Sequence, residues 1–222
     1  MIYPSTRPLN RVLEFSSFPY IPGVTGEVKG VLELLREAGL NPSNGKYKSL
    51  LELSKEEMEK LITGIILRMK KSKTNDIIGD VFLIKFFNKL EDAREMSAMI
   101  NACSRMGEPQ IAIQLCLEKE KIKKRADEIY AKYRQNLISG IKQIAEAKKI
   151  QGSSFVIINA EKKIKDSIIG TIASILSNSG NYEEGTMLTA LAQVENQEKI
   201  KISSRIVGKN GRNAMEILSS VI

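Results

Sequence analysis

The sequence contains no histidine, and this absence excludes more classes of function than any other feature of its composition. Without an imidazole the chain cannot supply a Ser-His-Asp triad, a Cys-His pair, an HExxH zinc site or a proton shuttle near neutral pH. Any catalysis would depend on carboxylates, lysine or tyrosine. Tryptophan is also absent and aromatic residues make up only 5% of the chain, so the core must consist of aliphatic residues and methionine.

Cysteine and long apolar runs are equally scarce. The two cysteines, Cys103 and Cys116, cannot form a disulfide framework, and their spacing matches no CxxC metal or redox motif. We therefore interpret them as small apolar residues in a reducing compartment. The N-terminus lacks the pattern of a signal peptide, and no uncharged apolar run approaches the roughly 20 residues of a membrane span. We expect a soluble cytoplasmic protein with no membrane partner.

The 222 residues include 34 basic and 26 acidic ones, which gives a net charge of +8. Such an excess suits an anionic partner such as nucleic acid, and it also suits the charged surface of a protein from a hot environment. Between residues 119 and 149, ten basic residues accompany four acidic ones, a net charge of +6. The basic side of this stretch is either a solvated surface or one that follows a phosphate backbone.

Residues 1–150 are predicted to form a mainly helical region. Four of the six prolines lie in the first 26 residues and favour an extended segment with one short helix. Thr25 is predicted to cap the next helix, and Ser54 with Glu57 forms a capping box before another. Residues 81–84 are interpreted as a short buried strand. The helices predicted from apolar spacing cover residues 8–16, 25–39, 54–69, 91–106, 109–117 and about 119–149.

Residues 151–222 are predicted to form a small second domain with the order β-α-β-β-α. The continuous run Phe155–Ile158 is typical of a strand that is covered on both faces. Residues 165–177 predict a helix, residues 187–194 and 199–207 an antiparallel strand pair, and residues 213–222 a final helix. The fold class expected for the whole chain is therefore α+β, with one long basic helix before the small domain.

Several stretches together resemble the archaeal RecJ-like family, the DHH-type proteins that associate with the GINS complex. This family is related to the cell-division-cycle subunit of the eukaryotic CMG replicative helicase. The resemblance is spread in order over nearly the whole chain and is specific only as a set. The residues that carry it are 7–9, 19–26, 92–95, 101–107, 126–130 and 168–176, which read RPL, PYIPGVTG, DARE, NACSRMG, ADEIY and IIGTIASIL.

Where the sequence departs from this family, it departs at the catalytic parts. Full-length members resemble metal-dependent exonucleases, with Asp and His ligands in an N-terminal domain and a Gly-rich motif with His in a C-terminal one. The chain is expected to lack both, since it has no histidine and no carboxylates clustered at ligand spacing. We therefore expect no catalytic residues, no metal and no cofactor. What remains resembles the middle helical region and part of the DHH-associated, nucleic-acid-binding domain.

One nucleic-acid-binding element of the family is matched in the second domain. The resemblance implies a strand with the pattern Lys-apolar-Ser-x-Arg whose arginine faces the nucleic-acid backbone, and residues 201–205 fit that pattern. A guanidinium beside hydroxyl groups on a rigid strand can make charge-assisted contacts with a phosphate. The alternative interpretation is an ordinary exposed hairpin end. The candidate binding residues are Lys201, Ser203, Arg205, Lys209 and Arg212.

The resemblance implies a non-catalytic DNA replication factor that would act at the nucleoid. Such a RecJ-like scaffold would bind GINS, through GINS would support the MCM replicative helicase, and would have weak affinity for single-stranded DNA. Two alternatives remain open. One is a fragment or subunit of a RecJ-like single-strand exonuclease, and the other is a stand-alone module that binds single-stranded nucleic acid.

The first prediction concerns catalysis by the purified chain. Because the sequence lacks histidine and clustered ligands, we expect no hydrolysis of single-stranded DNA with Mg²⁺ or Mn²⁺. We also expect a melting temperature that EDTA does not change, since no bound metal would stabilise the fold. Nuclease assays and thermal unfolding with and without EDTA check both. Metal-dependent digestion that co-elutes with the chain through successive columns would refute the prediction.

Overall fold

The computed structural model describes residues 4–16, 19–69, 79–119, 121–208 and 212–220. Within these ranges the chain forms eight α-helices, a two-stranded sheet and a mixed four-stranded sheet, which confirms the α+β class. The chain divides into two compact units, residues 1–135 and 136–222, whereas the sequence suggested a boundary at residue 150. None of the helices in the described ranges is both long and apolar enough to cross a bilayer.

The helices are α1 (Leu9–Glu14), α2 (Val28–Glu37), α3 (Lys55–Arg68), α4 (Ala93–Arg105), α5 (Pro109–Cys116), α6 (Ile122–Glu146), α7 (Asp166–Ser177) and α8 (Ala214–Ser219). The strands are β1 (Leu83–Phe86), β2 (Lys89–Asp92), β3 (Lys149–Gln151), β4 (Phe155–Asn159), β5 (Met187–Gln193) and β6 (Ile200–Ile206). A short 3-10 helix covers Leu50–Glu52.

The first unit has an aliphatic core formed by α1, α2, α3 and the loops between them, as the composition predicts. Its buried residues are Leu9, Val12, Leu13, Ile21, Val24, Val31, Leu34, Leu35, Ala38, Leu40, Leu61 and Ile65. Gly30 lies in the middle of α2, where glycine ordinarily weakens a helix. A Cβ atom at that position would lie 1.6 Å from the carbonyl oxygen of Gly23, so only glycine lets the preceding loop pack this closely.

The helix caps bear out one prediction and correct another. At α3, Ser54 Oγ accepts a hydrogen bond from the Glu57 amide, and the Glu57 carboxylate accepts one from the Ser54 amide, which is the predicted capping box. Thr25 does not cap α2, whose N-cap residue is Glu27. Instead the buried Thr25 hydroxyl donates to the Ser16 carbonyl and accepts from the Ile21 amide, so it fastens the loop before the helix.

The prediction of a buried strand at residues 81–84 is wrong about burial. Among the described residues, strand β1 pairs with β2 alone, in an antiparallel hairpin whose turn at Phe87 and Asn88 has positive φ at both residues. β-Branched and aromatic residues favour a strand here, but of the residues in β1 only Phe86 is buried. Phe82 and Leu90 are each 64% exposed, and Val81, Leu83 and Ile84 are exposed as well. We call these five residues the hairpin patch.

The second unit is built around a sheet with the strand order β3-β4-β5-β6. The central strands β4 and β5 are parallel, and β5 and β6 form the predicted antiparallel pair. Strand β3 pairs antiparallel with β4 and was not predicted, because the basic helix was expected to run to about Lys149. The basic helix α6 ends instead at Glu146, three residues before β3 begins at Lys149.

Val156 and Ile158 of β4 lie on the face of the sheet toward α7, and both are buried. Phe155, on the opposite face of the same strand, is 41% exposed. The expectation that β4 is covered on both faces is therefore wrong at Phe155, although Ile157 on the same face is half-buried.

A buried carboxylate attaches the N-terminal segment to α4 in the first unit. Asp92 is completely buried and is the N-cap residue of α4, where it accepts a hydrogen bond from the Arg94 amide. It also accepts hydrogen bonds from the Arg94 guanidinium and from both the amide and the hydroxyl of Ser5. Burial raises the pKa of Asp92, but the hydrogen bonds from Arg94 and Ser5 outweigh it, so the pKa lies below its ordinary value.

Two further buried carboxylates hold Arg7 beside this group. The Arg7 guanidinium lies 3.0 Å from a Glu91 oxygen and 3.1 Å from a Glu95 oxygen. Burial raises the pKa of Glu95 above its ordinary value, and the neighbouring charge of Arg7 offsets this only in part. The N-terminal segment is therefore fixed to the β2–α4 junction by charge-assisted hydrogen bonds at both Ser5 and Arg7.

The second prediction tests this attachment. Asp92→Ala should lower the free energy of unfolding by about 3–5 kcal/mol, because it leaves buried donors without their acceptor. Hydrogen exchange of the backbone amides in residues 5–9 should also become faster, while that of α7 in the other unit stays unchanged.

The matched control is Glu33→Ala, which removes a carboxylate from an exposed pair with Lys29. It should cost no more than about 0.5 kcal/mol. Urea denaturation followed by circular dichroism, together with exchange mass spectrometry, measures both effects. If Asp92→Ala is as stable as Glu33→Ala, the buried carboxylate does not have the role assigned to it.

Candidate nucleic-acid interface

Three of the five candidate residues lie on one face of strand β6. Lys201, Ser203 and Arg205 alternate along the strand, so their side chains point to the same side. Their cross-strand partners on β5 are Ala192, Ala190 and Leu188, which are completely buried. This is the face of the sheet that packs against α7.

Ser203 is covered by helix α7 and has an interior role. It is 8% exposed, and a Cβ atom at Gly170 of α7 would lie 3.2 Å from its hydroxyl oxygen. The glycine allows the helix to approach the strand at this point. Ser203 therefore does not form part of an open phosphate-binding surface in this arrangement.

Arg205 is exposed and is positioned by α7. Its Nε donates a hydrogen bond of 2.9 Å to Ser174 Oγ, and its Nη1 donates one of 2.7 Å to the carbonyl of Ser204. Guanidinium has five N–H donors, so three remain for an anionic group. Ser174 is a positioning residue that the sequence did not reveal, because nothing in the local pattern pairs a helix serine with a strand arginine 31 residues later.

The other two candidates lie beyond β6. Lys209 falls outside the described residues, and Arg212 donates a hydrogen bond of 2.6 Å to the Gly185 carbonyl. Lys201 is exposed and makes no ion pair with any described residue. The structure thus places Lys201 and Arg205 on the same face of the edge strand β6, four residues and about 13 Å apart, and it ties Arg212 to the loop before β5.

The basic helix α6 uses several of its cations within the protein. Lys123 lies 2.7 Å from Asp127, and Arg125 pairs with Glu108 before α5 and with Glu128 on α6. These acidic partners reduce the positive potential of the first turns of α6. This part of the helix is therefore a less favourable surface for a phosphate backbone than its number of basic residues suggests.

Arg134, further along α6, is held by aromatic rings. Its guanidinium carbon lies 4.6 Å from the ring centroid of Phe15 and 4.6 Å from that of Tyr130. This cation–π contact ties the end of α1 to α6 within the first unit. Arg134 therefore contributes to packing as well as to charge.

The residues do not fit the two-metal centre that the family resemblance would imply. Such a centre needs several carboxylate or imidazole ligands that converge on an open position. No group of three or more His, Cys, Asp or Glu in the described ranges is placed to hold a metal ion. The buried carboxylates Glu91, Asp92 and Glu95 accept hydrogen bonds from Arg7, Arg94 and Ser5.

Comparison with known proteins identifies a domain in the first unit. Residues 3–78 match the DHH-CID domain, which occurs in DHH and RecJ-like proteins. The matched region includes α1, α2 and α3 with their aliphatic core. It ends before the hairpin patch and does not include the second unit.

A longer alignment relates the chain to an archaeal protein. It is 30% identical over 166 residues to an uncharacterised protein of Methanocaldococcus jannaschii, and the alignment covers 75% of this chain. The same alignment covers 34% of the relative, so the chain corresponds to about a third of that protein's length. The similarity extends well beyond the 76 residues of the DHH-CID match.

The third prediction concerns nucleic acid. We expect salt-sensitive binding of single-stranded DNA with a dissociation constant of about 10⁻⁴ to 10⁻⁶ M near physiological salt, driven by counterion release. Arg205→Ala with Arg212→Ala should weaken binding more than alanine at Lys123, Lys124 and Arg125, because acidic neighbours already pair two of those three. For every phosphate that a substitution leaves without its cation, the salt slope should fall by about 0.7.

Fluorescence anisotropy at several salt concentrations measures this affinity, with Lys29→Ala plus Lys55→Ala as a charge-matched control in the first unit. If neither set of substitutions changes the affinity, the net positive charge serves the solubility of the protein and not the binding of DNA. Binding that survives high salt and selects a base sequence would contradict the prediction more directly, since that requires base-reading or stacking groups.

Proposed function

We propose that this chain is a non-catalytic RecJ-like scaffold of DNA replication that binds the GINS complex and, through GINS, supports the MCM helicase. The observation that carries the proposal is the DHH-CID match at residues 3–78. The alignment with the archaeal protein supports it, because that alignment includes much more of the chain than this domain. Residues outside 3–78, such as the DARE stretch at 92–95, also resemble the RecJ-like family and so support the proposal.

A non-catalytic role is supported by the side chains that the chain offers. There is no histidine in the sequence, and the buried carboxylates of the described residues are engaged by arginine and serine. These carboxylates attach the N-terminal segment to α4 and so serve the fold. A protein that acts through its surfaces requires a stable fold and an exposed contact area, and both are present in the first unit.

The hairpin patch is the proposed contact surface for GINS. It lies within residues 25–117, the helical half in which the family resemblance leads us to expect the contact. Its apolar residues lie on both faces of one hairpin, with Leu83 and Leu90 on one face and Phe82 and Ile84 on the other, and exposed apolar residues grouped in this way are typical of protein interaction sites. Lys85 and Lys89 flank the apolar side chains, so a partner surface with an apolar centre and an acidic rim would be complementary.

The fourth prediction follows from this assignment. Phe82→Glu combined with Leu90→Glu should weaken binding to the purified GINS complex of the same organism at least about 30-fold, because it places a charge on each of the two apolar faces of the hairpin. Both side chains are largely exposed, so the fold should remain intact. Titration calorimetry or surface plasmon resonance measures the affinity, and circular dichroism checks the fold.

The matched control is Ile200→Glu, which places the same charge on an apolar residue of similar exposure in the second unit. This variant should bind GINS as the unchanged chain does. The hairpin assignment fails if the double variant retains full affinity, and the GINS proposal fails if the unchanged chain does not bind at all.

A second candidate function is that of one part of a RecJ-like single-strand exonuclease whose catalytic residues lie elsewhere. It is favoured by the finding that the alignment covers only 34% of the archaeal relative. The test is to co-express the chain with any adjacent reading frame that encodes Asp- and His-containing DHH motifs. A stable complex that digests single-stranded DNA would favour this candidate over the scaffold.

A further inference from the structure

Strand β6 forms one edge of the four-stranded sheet, and among the described residues it pairs with β5 alone. In an antiparallel pair, every second residue exchanges backbone hydrogen bonds with the neighbouring strand, and the residues between direct theirs away. Beyond one end of β6 the Val194 amide donates to the Lys199 carbonyl. Beyond the other end the Val207 amide donates to the Thr186 carbonyl. With the register of the pair, these bonds assign the outward amides and carbonyls to Ile200, Ile202, Ser204 and Ile206.

These outward groups leave the edge of β6 open. No described residue gives them a backbone partner. The Arg205 side chain donates a hydrogen bond of 2.7 Å to the Ser204 carbonyl, but a carbonyl oxygen has two lone pairs and can accept a second bond. An open edge of seven residues is a template on which another strand can pair.

Helix α8 lies beside this edge, and a groove of about 690 Å³ separates it from β6. Ile202 of the strand and Met215 and Leu218 of the helix line its apolar part, and Ser204 and Arg205 line its polar part. Met215 is 72% exposed and Ile202 is 50% exposed, and no residue of α8 is buried. The described residues of the second unit therefore do not fill the groove.

The backbone groups of the edge determine what kind of molecule fits the groove. An edge strand beside a helix suits an extended peptide, because the peptide backbone bonds to the edge while alternate side chains enter the groove. The edge offers both donors and acceptors. A nucleic-acid backbone presents phosphate acceptors but no donors for the outward carbonyls, so it would leave them unpaired. An extended polypeptide satisfies both kinds of group.

The side chains of β6 determine the sequence pattern of that peptide. Successive side chains of a strand point to opposite faces, and apolar or oppositely charged neighbours stabilise paired strands. On one face the added strand would lie beside Ile200 and Ile202, and on the other beside Lys201, Ser203 and Arg205. Lys201 and Arg205 are exposed and make no ion pair with a described residue. The complementary segment therefore alternates apolar with polar residues and carries two acidic residues four positions apart.

We propose that the groove between β6 and α8 binds an extended segment of a partner protein, in which apolar residues alternate with acidic ones. The segment adds antiparallel to β6, the arrangement with the more stable hydrogen bonds. Its apolar side chains pack against Ile202, Met215 and Leu218, and its carboxylates pair with Lys201 and Arg205. The site uses none of the residues of the hairpin patch, so it goes beyond the proposed contact with GINS.

A designed heptapeptide, Val-Glu-Val-Ser-Val-Glu-Val, tests the proposal by fluorescence anisotropy with the full chain. Its glutamates match the spacing of Lys201 and Arg205, and its serine lies opposite Ser203. We expect saturable binding with a dissociation constant of about 100 µM or lower, since a short flexible segment loses conformational freedom when it binds. The same peptide with lysine in place of glutamate should bind at least about tenfold more weakly. N-methylation of its third and fifth residues, which removes two donors to the edge, should have an effect of the same size or larger.

Ile202→Pro tests the role of the edge in the protein itself. It removes one outward amide and leaves the bonds between β6 and β5 in place, which proline permits on an edge strand. It should weaken peptide binding at least about tenfold. Ile202→Val is the matched control, because it keeps the amide and a β-branched side chain, and its affinity should change less than about threefold. Circular dichroism and melting temperature check the fold of both variants.

A charge exchange tests the pairing without relying on a proline. Lys201→Glu with Arg205→Glu should weaken binding of the glutamate peptide at least about tenfold and strengthen binding of the lysine peptide by a similar factor. Gain of the lysine peptide requires a folded groove, so this outcome also excludes unfolding as the cause.

Three results overturn the proposal. One is the absence of saturable binding with about 1 mM chain. Another is equal binding of a shuffled peptide, Glu-Glu-Val-Val-Ser-Val-Val, because it has the same composition without the alternation. The third is unchanged affinity in both the proline and the charge-exchange variants. If those variants weaken binding of single-stranded DNA and leave peptide binding unaffected, the groove binds nucleic acid and the proposal is equally wrong.

Discussion

The N-terminal part of this protein depends on a single buried carboxylate. Asp92 caps α4 and holds Arg94, and it also accepts hydrogen bonds from the main chain and side chain of Ser5. Because a buried charge is costly unless it is fully hydrogen-bonded, this group fixes residues that are 87 positions apart in the sequence. Two residues after Ser5, Arg7 pairs with Glu91 and Glu95 and so provides a second point of attachment. The position of α1, and with it the edge of the aliphatic core, follows from these contacts.

The excess positive charge is distributed unevenly, and this uneven distribution gives the surfaces their separate characters. Basic residues of α6 are partly neutralised by acidic neighbours, whereas those of β6 lie on the face of the sheet that also holds α7. An exposed apolar surface is present at the hairpin patch, which has Lys85 and Lys89 beside it.

Local patterns predicted the elements well and their surroundings poorly. The capping box of α3 was predictable because Ser54 and Glu57 satisfy each other within one turn. The sequence predicted a strand at residues 81–84, of which Leu83 and Ile84 lie in β1, but it predicted the exposure wrongly, since exposure depends on whether another element covers the strand. In the same way, Thr25 has the chemistry of a cap but serves a neighbouring loop. The Thr25 hydroxyl bonds to the Ser16 carbonyl and the Ile21 amide, and these two groups come within reach only when the loop is folded.

The sequence by itself determined the α+β class, the order of most helices and strands, and the absence of histidine chemistry, because these follow from composition and from spacing along the chain. The tertiary structure alone decided which face of each strand is covered, that Ser203 lies beneath α7, and that Ser174 positions Arg205. It also explained Gly30, a residue that weakens a helix by itself but is required where the loop at Gly23 packs against it. The physical reason is that burial and hydrogen-bond partners across long sequence separations depend on how elements pack, whereas helix and strand preferences arise within a few residues.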